Sequence, residues 1–246
     1  MKKFAVLLPV VLSTLSAAIA FADEAKPDNE LSFNAAVTSD YRYRGISQTR
    51  LKPAVQGGLD YVNNPTGFYA GAWASTIKWI KDVDGDSNVE LDLYAGVRGG
   101  DTVTYDVGVL RYQYVNNNMG QLDGFANANT TEVYGQLGFG PAYVKYSHSV
   151  TNLFGNINSK GSDYIDVGAN IPMAETYTLN LHAGHQGVKN NDPYAYSDWK
   201  IGVTKDFGVV TGSIAAFGTN AEEGSYTIKD EFLGKNSLVL TVSKVF

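Results

Sequence analysis

Serines, histidines and carboxylates at strand-like spacing are the groups in this chain that could do chemistry, and the first test of them is where each side chain points. Hydrolysis by a serine needs a histidine within hydrogen-bond reach and a third polar group to orient that histidine. Ser147, His148 and Ser149 are consecutive. Neighbours in an extended chain face opposite ways, so His148 turns from both serines and shares its side with Val150. His182 and His185 also fall on opposite faces, which argues against a paired metal site, and His185 reads as a strand end. A distant serine could still meet His182 across strands. Asp82, Asp84 and Asp86 surround Gly85 and invite calcium. An EF-hand loop, however, places its glycine directly after the third acid, whereas here it comes before. A loose divalent site and a solvated acidic loop both stay open. Cysteine is absent, so thiol chemistry, a lipoprotein anchor and a disulfide framework are excluded. No cofactor is expected.

The elements that must position these groups alternate with period two. Val89, Leu91, Leu93, Ala95 and Val97 share one face, and Glu90, Asp92, Tyr94 and Gly96 the other. A helix would scramble the two sets. Twelve such segments are readable: 31–41, 53–62, 68–76, 89–97, 103–114, 131–139, 142–150, 163–171, 177–184, 197–205, 209–217 and 236–246. Short connections at 63–67, 98–102, 140–141, 172–176 and 206–208 carry the Gly, Pro, Asn or Asp that tight turns require. Long ones lie between them at 42–52, 77–88, 115–130, 151–162, 188–196 and 218–235. This reading is all-β: a transmembrane, antiparallel, up-and-down β-barrel of about twelve strands with long extracellular loops and short periplasmic turns. Both termini then fall on the periplasmic side.

The N-terminus agrees with that address. Residues 1–22 read as a signal peptide, with Lys2 and Lys3, an apolar run from Phe4 to Leu12, and small-residue cleavage sites ending at Ala20 or Ala22. Cleavage after Ala22 is preferred; residues 23–30 form a short periplasmic lead-in and 31–246 the barrel. The apolar run is too short to span a bilayer as a helix. Lys2 and Lys3 leave with the signal and no acid does, taking net charge from -6 to -8 and arguing against a nucleic-acid partner. The 26 glycines suit bends and close strand approach, and the 16 tyrosines suit a membrane interface.

Leu238, Leu240, Val242 and Phe246 share one parity, and a chain ending on such an aromatic resembles those handed to the barrel-assembly machinery. Lys244 departs from that pattern, but its charge can reach the interface. Residues 39–49 (SDYRYRGISQT), 53–61 (PAVQGGLDY) and 67–75 (GFYAGAWAS), with Glu90-Leu91-Asp92-Leu93-Tyr94-Ala95-Gly96, resemble the TorF-type porins of proteobacteria. The resemblance implies an outer-membrane location and a pore. It implies no catalytic residues.

With the apolar parity toward lipid, the lumen receives Asn34, Gln56, Asp60, Glu90, Asp92, Asp106, Glu132, Gln136, Lys145, Asp166, Asn180, His182, Asp198 and Lys200. Seven acids against two lysines favour cations in a narrow pore. The same groups could instead pair and fill a small barrel. Arg42 and Arg44, in the first long loop, read either as a mouth that binds lipopolysaccharide phosphates or guides anions, or as a corner paired with Asp40 and loop carbonyls. The loop at 115–130 could fold into the lumen or stand in solvent. The expected function is passive diffusion of small polar or ionic solutes, with outer-membrane lipid and lipopolysaccharide as surroundings. Alternatives are a non-conducting scaffold that binds a surface partner or lipid, an outer-membrane lipid-modifying enzyme, and a soluble barrel with its apolar side inward.

Overall fold

The computed structural model describes residues 27–246. The signal peptide expected at 1–22, and residues 23–26 of the lead-in, lie outside the described residues. In chain order come β1 (Asn29–Thr38), the short pair β2 (Arg42–Tyr43) and β3 (Ile46–Ser47), β4 (Ala54–Asn63) and β5 (Phe68–Thr76). The helical turn α1 (Trp79–Asp82) precedes β6 (Val89–Gly100), β7 (Val103–Tyr114), β8 (Thr130–Phe139) and β9 (Ala142–Ser149). There follow β10 (Asp163–Ala174), β11 (Tyr177–Gly187), β12 (Tyr196–Asp206) and β13 (Thr211–Thr219). The chain finishes with α2 (Glu223–Tyr226), the short pair β14 (Thr227–Ile228) and β15 (Glu231–Phe232), and β16 (Ser237–Val245).

Twelve strands, β1, β4 to β13 and β16, form one closed antiparallel barrel in which every chain-adjacent pair is hydrogen-bonded. Closure removes the sheet edge, so backbone polar groups in the membrane segment are satisfied without water. The seam joins β1 to β16 through five residue pairs, Asn34↔Val245 to Thr38↔Thr241. On its other side β1 pairs with β4 over ten, beginning at Asn29↔Asn63. That pairing draws Asn29 and Glu30 into β1, ahead of the alternation that starts at Leu31. Beyond the seam ladder the backbones of Phe33 and Phe246 exchange hydrogen bonds, Phe246 donating at 2.8 Å.

The alternation is realised with the apolar side outward. Along β8, Val133, Leu137 and Phe139 are 44%, 56% and 68% exposed, whereas Glu132 and Gln136 are 2% and 7%. Leu31, Phe33, Val55, Val107, Ile165, Ile201, Leu238 and Leu240 continue the outward apolar belt. So large a contiguous apolar surface is the face a bilayer covers, the reverse of a soluble ligand-binding barrel. Phe246 belongs to this belt, and the Lys244 ammonium lies 4.9 Å from the centre of its ring.

Tyrosine divides between the two faces. Tyr61, Tyr105, Tyr146 and Tyr177 point outward, while Tyr69, Tyr94, Tyr112, Tyr134 and Tyr164 are buried inside. The inward rings need room on a neighbouring strand. Tyr94 lies over its register partner Gly71, where a Cβ would come within 2.5 Å of the ring.

Candidate functional site

Strand parity sets each position, and the fourteen residues expected at the lumen fall on the buried or half-buried side of their strands. They do so in bonded groups. In one sector Asp60 accepts from Tyr94 at 2.6 Å and from Asn34 at 3.3 Å. Tyr69 donates to Asp106 and is hydrogen-bonded to Tyr134, and the Lys145 ammonium sits 3.8 Å from the centre of the Tyr134 ring. Gln136 stands opposite Lys145 in register. Gln56 donates to Ser75 at 3.3 Å.

A second sector centres on His182. Its Nδ1 is 2.8 Å from Asp166 and its Nε2 is 2.7 Å from Asp198. Tyr164 donates to Asp198 at 2.9 Å. Deeper in, Asn180 donates to Asn170 at 2.7 Å and accepts from Thr204 at 2.8 Å. Lys200 is 5.9 Å from the Phe217 ring. Glu90 accepts from Tyr41 at 3.0 Å. Asp92 is wholly buried, and neither of its carboxylate oxygens has a hydrogen-bond partner among the described residues.

The first long connection does not stay at the rim. β2 and β3 make a two-residue hairpin whose turn, Arg44-Gly45, has φ of 46° and 76°. Positive φ at both central residues suits the twist of a tight hairpin. The tip turns into the bore: a Cβ on Gly45 would lie 2.5 Å from Thr219 and 2.7 Å from Asp198, on β13 and β12, the second and third strands along from β1 in the ring. Arg44 adds two bonds to Glu132, the shorter 2.7 Å, and one of 2.6 Å to Gln186. Its guanidinium also stacks 4.1 Å from the centre of the Tyr164 ring.

Arg42 is enclosed at the hairpin base. It donates to Asp40 at 2.6 Å, to the carbonyls of Gly45, Leu233 and Lys235 at 2.7, 3.0 and 3.0 Å, and to Ser237 at 2.6 Å. This is the corner arrangement, and it ties the first loop to the last. Asp40 also accepts from Ser47 and Thr49. The third loop packs over its neighbours, with Asn118 donating to Asp86 at 2.6 Å and the Ala126 amide to Gly155 at 2.7 Å. Of the acidic trio, Asp82 is taken by Arg50 at 3.2 Å.

Three features lay outside the sequence reading. The first is the hairpin inside the bore. The second is Arg98, expected in a turn but placed in β6 with its guanidinium 5.4 Å from the Tyr69 ring. The third is an outward-facing pair near the long-loop end, His185 Nδ1 3.0 Å from Ser197 Oγ. Their 12-residue separation is a register effect across β11 and β12. Among the described residues no third polar group holds the other ring nitrogen, so the pair has two of the three parts that serine chemistry requires. Ser147 and Ser149 face inward and His148 outward, stacked on Tyr146.

The family model described as "Bacterial protein of unknown function (Gcw_chp)" matches residues 22–246. No curated protein matches. Among solved structures, the NanC porin superposes with a TM-score of 0.54 at 10% identity, over 88% of this chain and 98% of that one. An outer-membrane channel from Pseudomonas putida F1 gives 0.49 at 12% identity, over 91% and 97%. Outer membrane phospholipase A from Escherichia coli gives 0.41 at 12% identity, over 87% and 91%. At 10% identity the likeness to the NanC porin is one of fold.

Proposed function

The chain belongs to the Gcw_chp family of bacterial proteins of unknown function, and from that premise we propose that it is a porin-like channel of the outer membrane, narrowed by its own first loop. Small polar or ionic solutes pass through the bore by diffusion, with a weak preference for cations. The observation that carries this reading is the inward face. Seven carboxylates turn to the inner side of a closed barrel, five of them buried there, and the Arg44 hairpin stands among them. Lys145, Lys200, Arg44 and Arg98 offset part of that charge, so the preference is small. The apolar belt and the resemblance to TorF-type porins support the same location, reached after removal of a signal peptide. Lipopolysaccharide at the rim and the barrel-assembly machinery, reading the strand that ends at Phe246, are the partners in this proposal.

Single-channel recording in a planar bilayer tests it. The expected result is a small conductance that favours potassium over chloride and grows when residues 42–47 are replaced by a short glycine-serine link. Chloride preference would remove the cation assignment. Silence in both proteins would replace the channel with a non-conducting scaffold.

One observation favours a second reading, a lipid-modifying enzyme: the Ser197–His185 pair on the outward face. Release of fatty acid from phospholipid vesicles, abolished by Ser197→Ala, would support it. Absence of any release by the native protein would exclude it.

A further inference from the structure

The six long connections close over the hairpin around a cavity of about 320 Å³. Each connection sends one aromatic ring to its wall: Tyr43, Trp79, Phe125, Phe154, Tyr194 and Tyr226, in loop order. Two more rings, Tyr114 and Tyr196, rise from strand ends. The rings are held by one another. Trp79 meets Tyr114 edge-on at 5.4 Å, Tyr43 meets Phe154 at 5.7 Å, and Tyr226 meets Tyr194 and Tyr196 at 5.8 and 5.2 Å. Tyr226 also donates to the Tyr194 carbonyl at 2.7 Å.

The wall defines what it can hold. No charged side chain lines it among the described residues, so an ionised guest would lose water and gain no counter-charge. The polar groups of Ser47, Gln48 and Gln186 are already bonded within the protein, to Asp40, the Ile46 carbonyl, and the Asp163 and Gly187 carbonyls respectively. By contrast, the hydroxyls of Tyr114, Tyr194 and Tyr196 make no hydrogen bond to another described residue. Ring walls accept a flat ring edge-to-face or offset. The volume is at the small end of sites for organic ligands.

We propose that this cavity binds a small, uncharged aromatic molecule bearing a hydroxyl or carbonyl, clasped by the loop rings and hydrogen-bonded by the free tyrosine hydroxyls. The site belongs to the loops above the hairpin and stands whether or not the bore conducts.

Equilibrium dialysis of 2-naphthol against the folded barrel in phospholipid nanodiscs, with empty nanodiscs as the partition control, tests it. Saturable uptake above the control is expected. Ser225→Trp, which fills the cavity from the rim, should weaken binding by about tenfold or more. Asn156→Trp, from another loop, serves if the first variant does not fold. Tyr196→Phe should weaken 2-naphthol while leaving naphthalene unchanged. Equal uptake by native protein and the filled variants would overturn the proposal. So would tighter binding of trimethylphenylammonium than of 2-naphthol, which would make the rings a cation cage.

Discussion

Arg44 Nη2 lies 2.7 Å from Glu132 Oε2, although the two residues are 88 positions apart and one of them belongs to a loop. The guanidinium and carboxylate side chains are 7% and 3% exposed, so both charges have left water and each depends on the other. A buried pair of this kind is worth little against an apolar replacement of both partners, yet its breakage strands a charge.

Arg44→Met alone is therefore expected to destabilise the folded barrel by about 3–5 kcal/mol. The double variant Arg44→Met, Glu132→Leu should recover most of the loss. Urea unfolding in phospholipid bilayers, followed by tryptophan fluorescence, measures both. A single variant no worse than the double would mean the clamp does not hold the hairpin.

Gly45→Ala places a Cβ against Thr219 and Asp198 at a residue with φ of 76°. Strain of about 1–3 kcal/mol should lift the hairpin from β12 and β13. Hydrogen exchange at residues 41–48 would accelerate while exchange in the barrel strands stays unchanged. Gly124→Ala is the control, since its φ of 86° is also positive but nothing lies within 4 Å.

Alkaline titration should separate two classes of tyrosine. Burial above all, then the Glu90 and Asp92 carboxylates, holds the Tyr41 phenol well above its ordinary 10.0. Burial does the same for Tyr43, with Arg44 opposing and Glu132 adding. A phenol whose value is raised in the folded state binds its proton more tightly there. Its contribution is complete below pH 10 and declines as pH rises above it. Absorbance at 295 nm should show exposed tyrosines ionising first and the loop tyrosines only together with loss of hairpin protection.

Asp92 has neither carboxylate oxygen bonded and is wholly buried. Its replacement by Leu is expected to raise stability by about 1–3 kcal/mol, the cost of an unsatisfied buried polar group. Destabilisation on the same scale in the urea assay would mean that Asp92 is satisfied by a partner the fold recruits in the membrane.

Parity is local, and this made much of the barrel readable in advance. Alternation in β6 decides that Glu90 and Asp92 point inward without reference to any other strand. What lies between strands is not local. Arg44-Gly45 between Tyr43 and Ile46 makes a hairpin turn inside what reads as a long loop, and its direction is set by Thr219, Asp198 and Glu132, all remote in the chain. Only some tyrosine rings face outward, because a glycine on the next strand, as with Gly71 beside Tyr94, opens an inward berth that composition does not reveal. The Ser197–His185 contact likewise depends on cross-strand register, which follows from how the intervening loop closes.

The narrow seam between β1 and β16 has a consequence for how the barrel comes into being. Its two strands stand at the beginning and end of the ladder, so every arrangement short of the full set leaves two open rows of N–H and C=O groups. Until the ring is sealed, the growing sheet is a template for other strands. A lesion in those five pairs should act on assembly yield more than on the endurance of barrels already sealed.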